Sequence, residues 1–85
     1  MNSFADLDRK KRIVMALRRW ARELVLQGPT QEDKSRQRLA HLAALARDVG
    51  RGTWTVERWL EGRSRPPATI HDQLEAALRK RGVAV

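Results

Sequence analysis

The apolar positions of this 85-residue chain recur at helical spacing, three and four apart, and nowhere alternate as a strand would. The first element is expected over about residues 6–26. Ile13, Leu17, Trp20 and Leu24 make its apolar stripe, Val14, Ala21 and Val25 widen it, and Arg9, Lys10, Arg12, Arg18, Arg19 and Arg22 fill much of the remainder. Gly28 and Pro29 stop it. The stripe is broad for a helix packing on one neighbour, which leaves core packing alone or an added role in dimerisation open. A second helix is expected to open at Thr30, with Ser35 as a rival start. Glu32 and Asp33 would sit at the positive end of its dipole. Its apolar face is Leu39, Leu42, Ala43, Leu45, Ala46 and Val49, and Gly50 ends it in a left-handed conformation.

A third, short helix is expected from Thr53 to Gly62, with Val56, Trp59 and Leu60 on one side. Trp54 lies about 160° around the helix from Val56 and should face outward, beside Glu57, Arg58 and Glu61. A loop over 62–68 carries Arg63, Arg65 and the stiff Pro66-Pro67 pair. A fourth helix follows, capped by Thr69, with Ile70, Leu74, Ala77 and Leu78 as its apolar face. Arg79, Lys80 and Arg81 load its last turn, which suits the dipole. The pattern predicts an all-α fold in one domain over 1–85: a compact bundle of four to five helices with a long N-terminal helix and frayed ends at 1–5 and 83–85. Within it, helix, glycine turn and short helix over about 39–62 outline a helix-turn-helix.

Charge narrows the partners. Lys and Arg total 18 against 10 acids, a formal net charge of +8, which for so small a domain favours a polyanion. With no cysteine, a disulfide framework and a thiolate metal site are both out of reach. His41 and His71 stand alone without a carboxylate or cysteine at metal spacing, and a structural or surface role is expected for each. Trp20 and Trp59 read as core. No Ser/His/Asp group, phosphate-cradling glycine loop or carboxylate pair is visible, so neither an enzyme nor a cofactor is expected. The first eight residues lack the basic-then-apolar order of a signal peptide, and no apolar run approaches the ~20 residues that span a bilayer. A cytoplasmic, nucleoid-associated protein with no membrane partner is expected.

Leu45-Ala46, Gly50, Val56, Trp59 and Gly62, followed by Arg63-Ser64-Arg65-Pro66, resemble the lambda repressor/Cro-like (XRE-like) helix-turn-helix family. The match is strong over 42–67, the fourth helix agrees with it in position, and the first helix is longer than the family needs. Two positions depart. Arg51 stands where the family has a buried aliphatic residue, and Gly52 where it has Ser or Thr as helix cap. The resemblance implies that the start of the third helix meets base edges, which by position means Thr53, Trp54, Glu57 and Arg58. Arg58 suits guanine O6/N7, and Glu57 suits cytosine N4 or orients Arg58. Thr53 either caps the helix or touches DNA, and Trp54 either presses on a thymine methyl or packs on Arg58 or the first helix. Arg51, Arg63 and Arg65 are the phosphate candidates, with Arg36 and Arg38 behind them. Arg9, Lys10, Lys11 and Arg12 either extend that footprint or form a solvated helix face.

The expected function is a transcriptional regulator acting as a homodimeric repressor on a near-palindromic operator in double-stranded DNA. Phage repressor, restriction-modification controller and anti-CRISPR-associated regulator are equally open settings. Ile13 and Trp20 on the first helix and Leu74 and Leu78 on the fourth are the candidate dimer contacts. One rival is a protein-interaction module such as the antitoxin of a toxin–antitoxin pair, marked by an additional exposed apolar surface on the first helix. Another is non-specific nucleic-acid binding, marked by steep salt dependence without sequence preference.

Overall fold

Among the described residues four helices form in chain order, joined by connections that each close the preceding helix in a definable way. The computed structural model of the chain describes residues 3–85, with side chains from Asp8 onward. The helices are α1 (Ser3–Arg22), α2 (Gln31–Asp48), α3 (Thr53–Glu61) and α4 (His71–Lys80), the last preceded by a single 3-10 turn, Ala68–Ile70. The fold is all-helical, as the apolar spacing requires. Among the described residues no helix is long and apolar enough to cross a membrane.

α1 stops at Arg22, four residues before the expected end. Leu24 and Val25 continue the apolar period, but the chain leaves the helix and runs irregularly to Thr30. A distant side chain makes that possible. The Gln37 amide accepts the Gln27 N–H through Oε1 at 2.6 Å and donates through Nε2 to the Gln27 carbonyl, so both backbone groups are satisfied outside a helix. Leu24 still packs against the core, whereas Val25 is exposed. Thr30 caps α2 as expected: its hydroxyl accepts the Asp33 N–H at 3.1 Å.

The core is one cluster drawn from all four helices. Ile13, Ala16, Leu17 and Trp20 come from α1, and Leu42, Leu45 and Ala46 from α2, joined by Val49. Val56 and Trp59 come from α3, and Leu74, Ala77 and Leu78 from α4, joined by Ile70. α2 packs on α3 and α4, and α1 packs on α3 and α4. Leu39 departs from the expected apolar face and is half exposed to solvent. At 18 residues α2 runs about 27 Å, twice the roughly 14 Å of α3.

Two further expectations are corrected. Thr69 does not cap α4. It lies inside the 3-10 turn, where Ile70 donates its N–H to the Pro67 carbonyl at 3.1 Å and buries its side chain. The tail is not frayed either. The Val83 N–H donates to the Leu78 carbonyl at 3.0 Å, Val83 and Val85 pack against the core, and Arg19 donates to the Ala84 carbonyl at 2.5 Å.

Ion pairs tie the outer edge of α4 to its neighbours. Arg9 of α1 bridges Asp72 and Glu75, the latter at 3.1 Å, and Arg79 meets Glu75 at 2.6 Å. Asp48 at the end of α2 meets Arg81 at 2.8 Å and Lys80 at 3.8 Å. The hydrogen bond from Arg81, helped by the charges of Lys80 and Arg47, holds the Asp48 carboxyl below the usual carboxylate range, against some opposing desolvation. Hydrogen bonding from Arg9 does the same for Asp72.

Candidate nucleic-acid interface

The turn between α2 and α3 is built by backbone hydrogen bonds that wrap over the last turn of α2. Gly50, at φ +66°, donates its N–H to the Arg47 carbonyl at 3.2 Å, and Arg51 donates to Ala46 at 2.9 Å. This paired closure is the Schellman arrangement, and it needs a left-handed residue where Gly50 stands. Arg51 occupies the position after that glycine, where an apolar side chain would fold back on the helix. Its side chain is exposed instead. The turn closes through the backbone alone, and so tolerates a cation there.

α3 starts at Thr53 with Gly52 as its cap, and no side chain accepts a first-turn N–H. Thr53 is therefore the first helical residue, not the cap, and is half-buried. Val56 and Trp59 anchor the inner side of α3 and are fully or almost fully buried. Trp54 points the other way and is 68% exposed. It also packs: the Arg58 guanidinium lies over the indole, 4.6 Å from the ring centroid. Outward orientation and packing on Arg58, alternatives in the sequence, hold together. Glu57 and Arg58 are half-buried beside it.

α3 closes as α2 does. Gly62, at φ +77°, donates to Trp59 at 3.3 Å, and Arg63 donates to Arg58 at 3.0 Å. A side chain at Gly62 would be strained by that φ and would bring its Cβ to 3.2 Å from Arg18 Nη2, so Arg18 of α1 reaches across the end of α3 because a glycine is there. The basic loop that follows is pinned from beneath. Pro66 is fully buried, and its carbonyl lies 3.2 Å from Nε2 of the buried His71. In this arrangement Nε2 carries the proton and donates to that carbonyl.

The residues singled out in the sequence thus divide. Thr53, Trp54, Glu57 and Arg58 share the outward side and flanks of α3. Arg51 precedes this helix and Arg63 follows it, both exposed, bracketing a helix about 14 Å long. Arg63 is already engaged, its Nε 2.9 Å from Glu61 Oε2. Arg65 is exposed and borders a groove against α1. Arg36 pairs with Glu32 at 3.4 Å along α2. Arg38 is half-buried in a depression shared with Arg18, Ala21, Arg22 and Leu60, away from the turn. Arg9 and Arg12, candidates for an extended footprint, are held by Asp72 and Glu75 and by Asp8, respectively.

The four candidate dimer residues are corrected outright. Ile13, Leu74 and Leu78 are 0% exposed and Trp20 is 6% exposed, all within the single core. An apolar stripe reads the same from sequence whether a neighbouring helix or a second copy covers it, and here the chain's own helices do. Sequence reasoning also passed over Met15 and Arg18. Met15 lies off the apolar stripe of α1 and is 66% exposed, and the approach of Arg18 to Gly62 spans 44 positions that no local pattern links.

Comparison of the chain with protein-family models, with curated proteins and with solved structures finds no match.

Proposed function

We propose that the chain binds double-stranded DNA in a sequence-dependent way by laying the outward side of α3 in the major groove. One observation carries the reading: Trp54 and Arg58 are stacked on each other on the solvent side of a short helix whose other side is locked into the core. A guanidinium already held against an indole loses less side-chain freedom on meeting a base edge. Its fork of donors matches guanine O6/N7, and the exposed indole beside it offers an apolar face to a thymine methyl. The net charge of +8 supplies the attraction that does not depend on sequence. Arg51, at the turn, and Arg65, in the loop, are the best placed for phosphates. The first-turn N–H groups of α3, lacking a side-chain cap, suit a phosphate oxygen as well.

One such helix reads few base pairs. A repressor built on it would act as a homodimer on two half-sites, about 34 Å apart, of a near-palindromic operator. Selection from random duplexes with the full chain tests this. The expected outcome is an enriched two-fold motif whose binding Arg58→Ala weakens by about 1–3 kcal/mol, with relaxed preference at one position. A pool that stays random, bound with steep salt dependence, would favour non-specific binding.

A second reading, a protein-interaction module, is favoured by one specific observation. α1 carries Met15 exposed within a basic surface, separate from the core stripe.

A further inference from the structure

Between α1 and the end of α3 runs a groove of about 440 Å³, of whose lining the DNA reading uses only Arg65. Its charged lining is Lys10, Lys11, Arg18 and Arg65, with no acid among the described lining residues. Among the described residues none of these four has an acidic partner at ion-pair distance, whereas Arg9 and Arg12 on the same helix do. The apolar lining is Val14, Met15 and the edge of Trp59. Met15 is the only strongly exposed large apolar side chain of that lining, at 66%. Arg18 lies at the mouth beside Gly62, its Nη2 3.2 Å from where a Cβ on that glycine would stand.

From this we infer that the groove docks an acidic, amphipathic segment of a partner protein, its apolar side chains on Met15 and Val14 and its carboxylates on Lys11, Arg18 and Arg65. Charge complementarity selects the occupant. A cationic rim around an apolar floor fits an acidic helix with apolar anchors, in the manner of helix-in-groove recognition. A phosphate backbone would use the rim and leave Met15 without a contact. A second copy of the chain would bring a net charge of +8 against the same rim. Geometry separates the groove from the proposed DNA side. Trp59, on the groove wall, is five residues from Trp54 and about 140° around α3 from it, so one ligand on the Trp54 side does not fill the groove. The inference goes beyond DNA binding and stands whether or not α3 reads bases.

The probe is a synthetic 15-residue peptide free of Lys and Arg, with Leu at positions i, i+3, i+4 and i+7 and Glu elsewhere. Its binding to the full chain is followed by fluorescence anisotropy beside a scrambled peptide of the same composition. The expected result is a preference of at least tenfold for the amphipathic order. Met15→Lys, which raises the positive charge but removes the anchor, should lower affinity about tenfold, and Lys11→Ala with Arg18→Ala should do so too. Lys34→Ala with Arg36→Ala, cations on α2 outside the groove, should change it less than twofold. Equal binding of the scrambled peptide, or unchanged or tighter binding by Met15→Lys, would overturn the inference. So would concentration-dependent self-association abolished by Met15→Lys, which would assign the groove to a second copy. Loss of duplex binding in the Lys11/Arg18 double variant, with Met15→Lys unaffected in every assay, would assign it to phosphate.

Discussion

His71 sets the position of the basic loop, and replacing it separates a hydrogen bond from packing. The ring is 6% exposed and donates from Nε2 to the carbonyl of the fully buried Pro66 at 3.2 Å. His71→Phe keeps a flat ring in the same space and leaves that carbonyl without its donor. Stranding a buried acceptor costs about 1–3 kcal/mol. His71→Ala strands the same carbonyl and also removes the ring, which adds about 1–2 kcal/mol of lost packing and gives roughly 2–5 kcal/mol in all. A chain of this length holds on the order of 4–13 kcal/mol, so the alanine variant surrenders a large share of it. Urea unfolding at neutral pH should therefore rank wild type above His71→Phe above His71→Ala. Each kcal/mol should appear as a fall in Tm of about 4–8 °C. Because Arg63 and Arg65 ride on the pinned loop, both variants should also weaken binding to random-sequence duplex. A His71→Phe protein within 0.5 kcal/mol of wild type would refute the reasoning, because the Pro66 carbonyl would then have another donor or a path to water.

Removing the carboxylate that engages Arg63 should free that cation for phosphate. Glu61→Gln is expected to tighten binding to all duplexes alike and to steepen the salt dependence by up to about one unit, as Arg63→Ala should flatten it; a gain confined to one sequence would contradict a phosphate role. Trp54→Ala and Arg58→Ala, singly and together, should show a coupling of about 0.5–1 kcal/mol in the stability of the free protein, the scale of a solvent-exposed cation–π pair. Additive losses would mean that the stack contributes nothing. The Asp48 carboxyl, depressed by Arg81, contributes stability that is complete above the unfolded value near 3.9 and is lost as pH falls through its lower folded value. The Tm gap between wild type and Asp48→Asn should accordingly be open at pH 6 and close as the solution is taken to pH 2, whereas a constant gap would remove the ionic explanation.

What was legible in the sequence is the punctuation that acts within a few residues. Thr30 caps α2, Gly50 takes the left-handed conformation expected of it and Gly62 ends α3 where expected, because each acts on backbone groups three to five residues away. The inner and outer sides of α3 were legible for the same reason, since helical periodicity alone separates Val56 and Trp59 from Trp54. What failed depended on distant partners. The irregular segment after α1 has its Gln27 backbone groups met by Gln37, fifteen residues past the last helical residue, and Leu39 is half exposed although it continues the apolar period of α2. The supposed dimer contacts failed because α1 and α4 cover each other's stripes, a pairing that no spacing within either helix reveals. The groove was invisible because its two walls lie about fifty residues apart in the chain.

The distribution of acids gives the two sides of the molecule different work. Asp48, Asp72 and Glu75 engage Arg9, Arg79, Lys80 and Arg81, cations of α1, α4 and the residue after it. Those charges hold helices together and present little net field to solvent. Away from those pairs, Lys11, Arg18, Arg51 and Arg65 have no acidic partner at ion-pair distance among the described residues, and Arg58 rests on an indole. Part of the excess of +8 is therefore carried around α3, its flanking loops and the adjoining side of α1, and part by Arg19, Arg22, Lys34, Arg38 and Arg47, which likewise have no acidic partner at that distance among the described residues. Cations with no local partner repel one another, which costs stability and is relieved by a polyanion or an acidic segment. Salt should therefore act in opposite ways: it should screen that repulsion and raise the Tm of the free chain, while weakening the binding of either anionic partner.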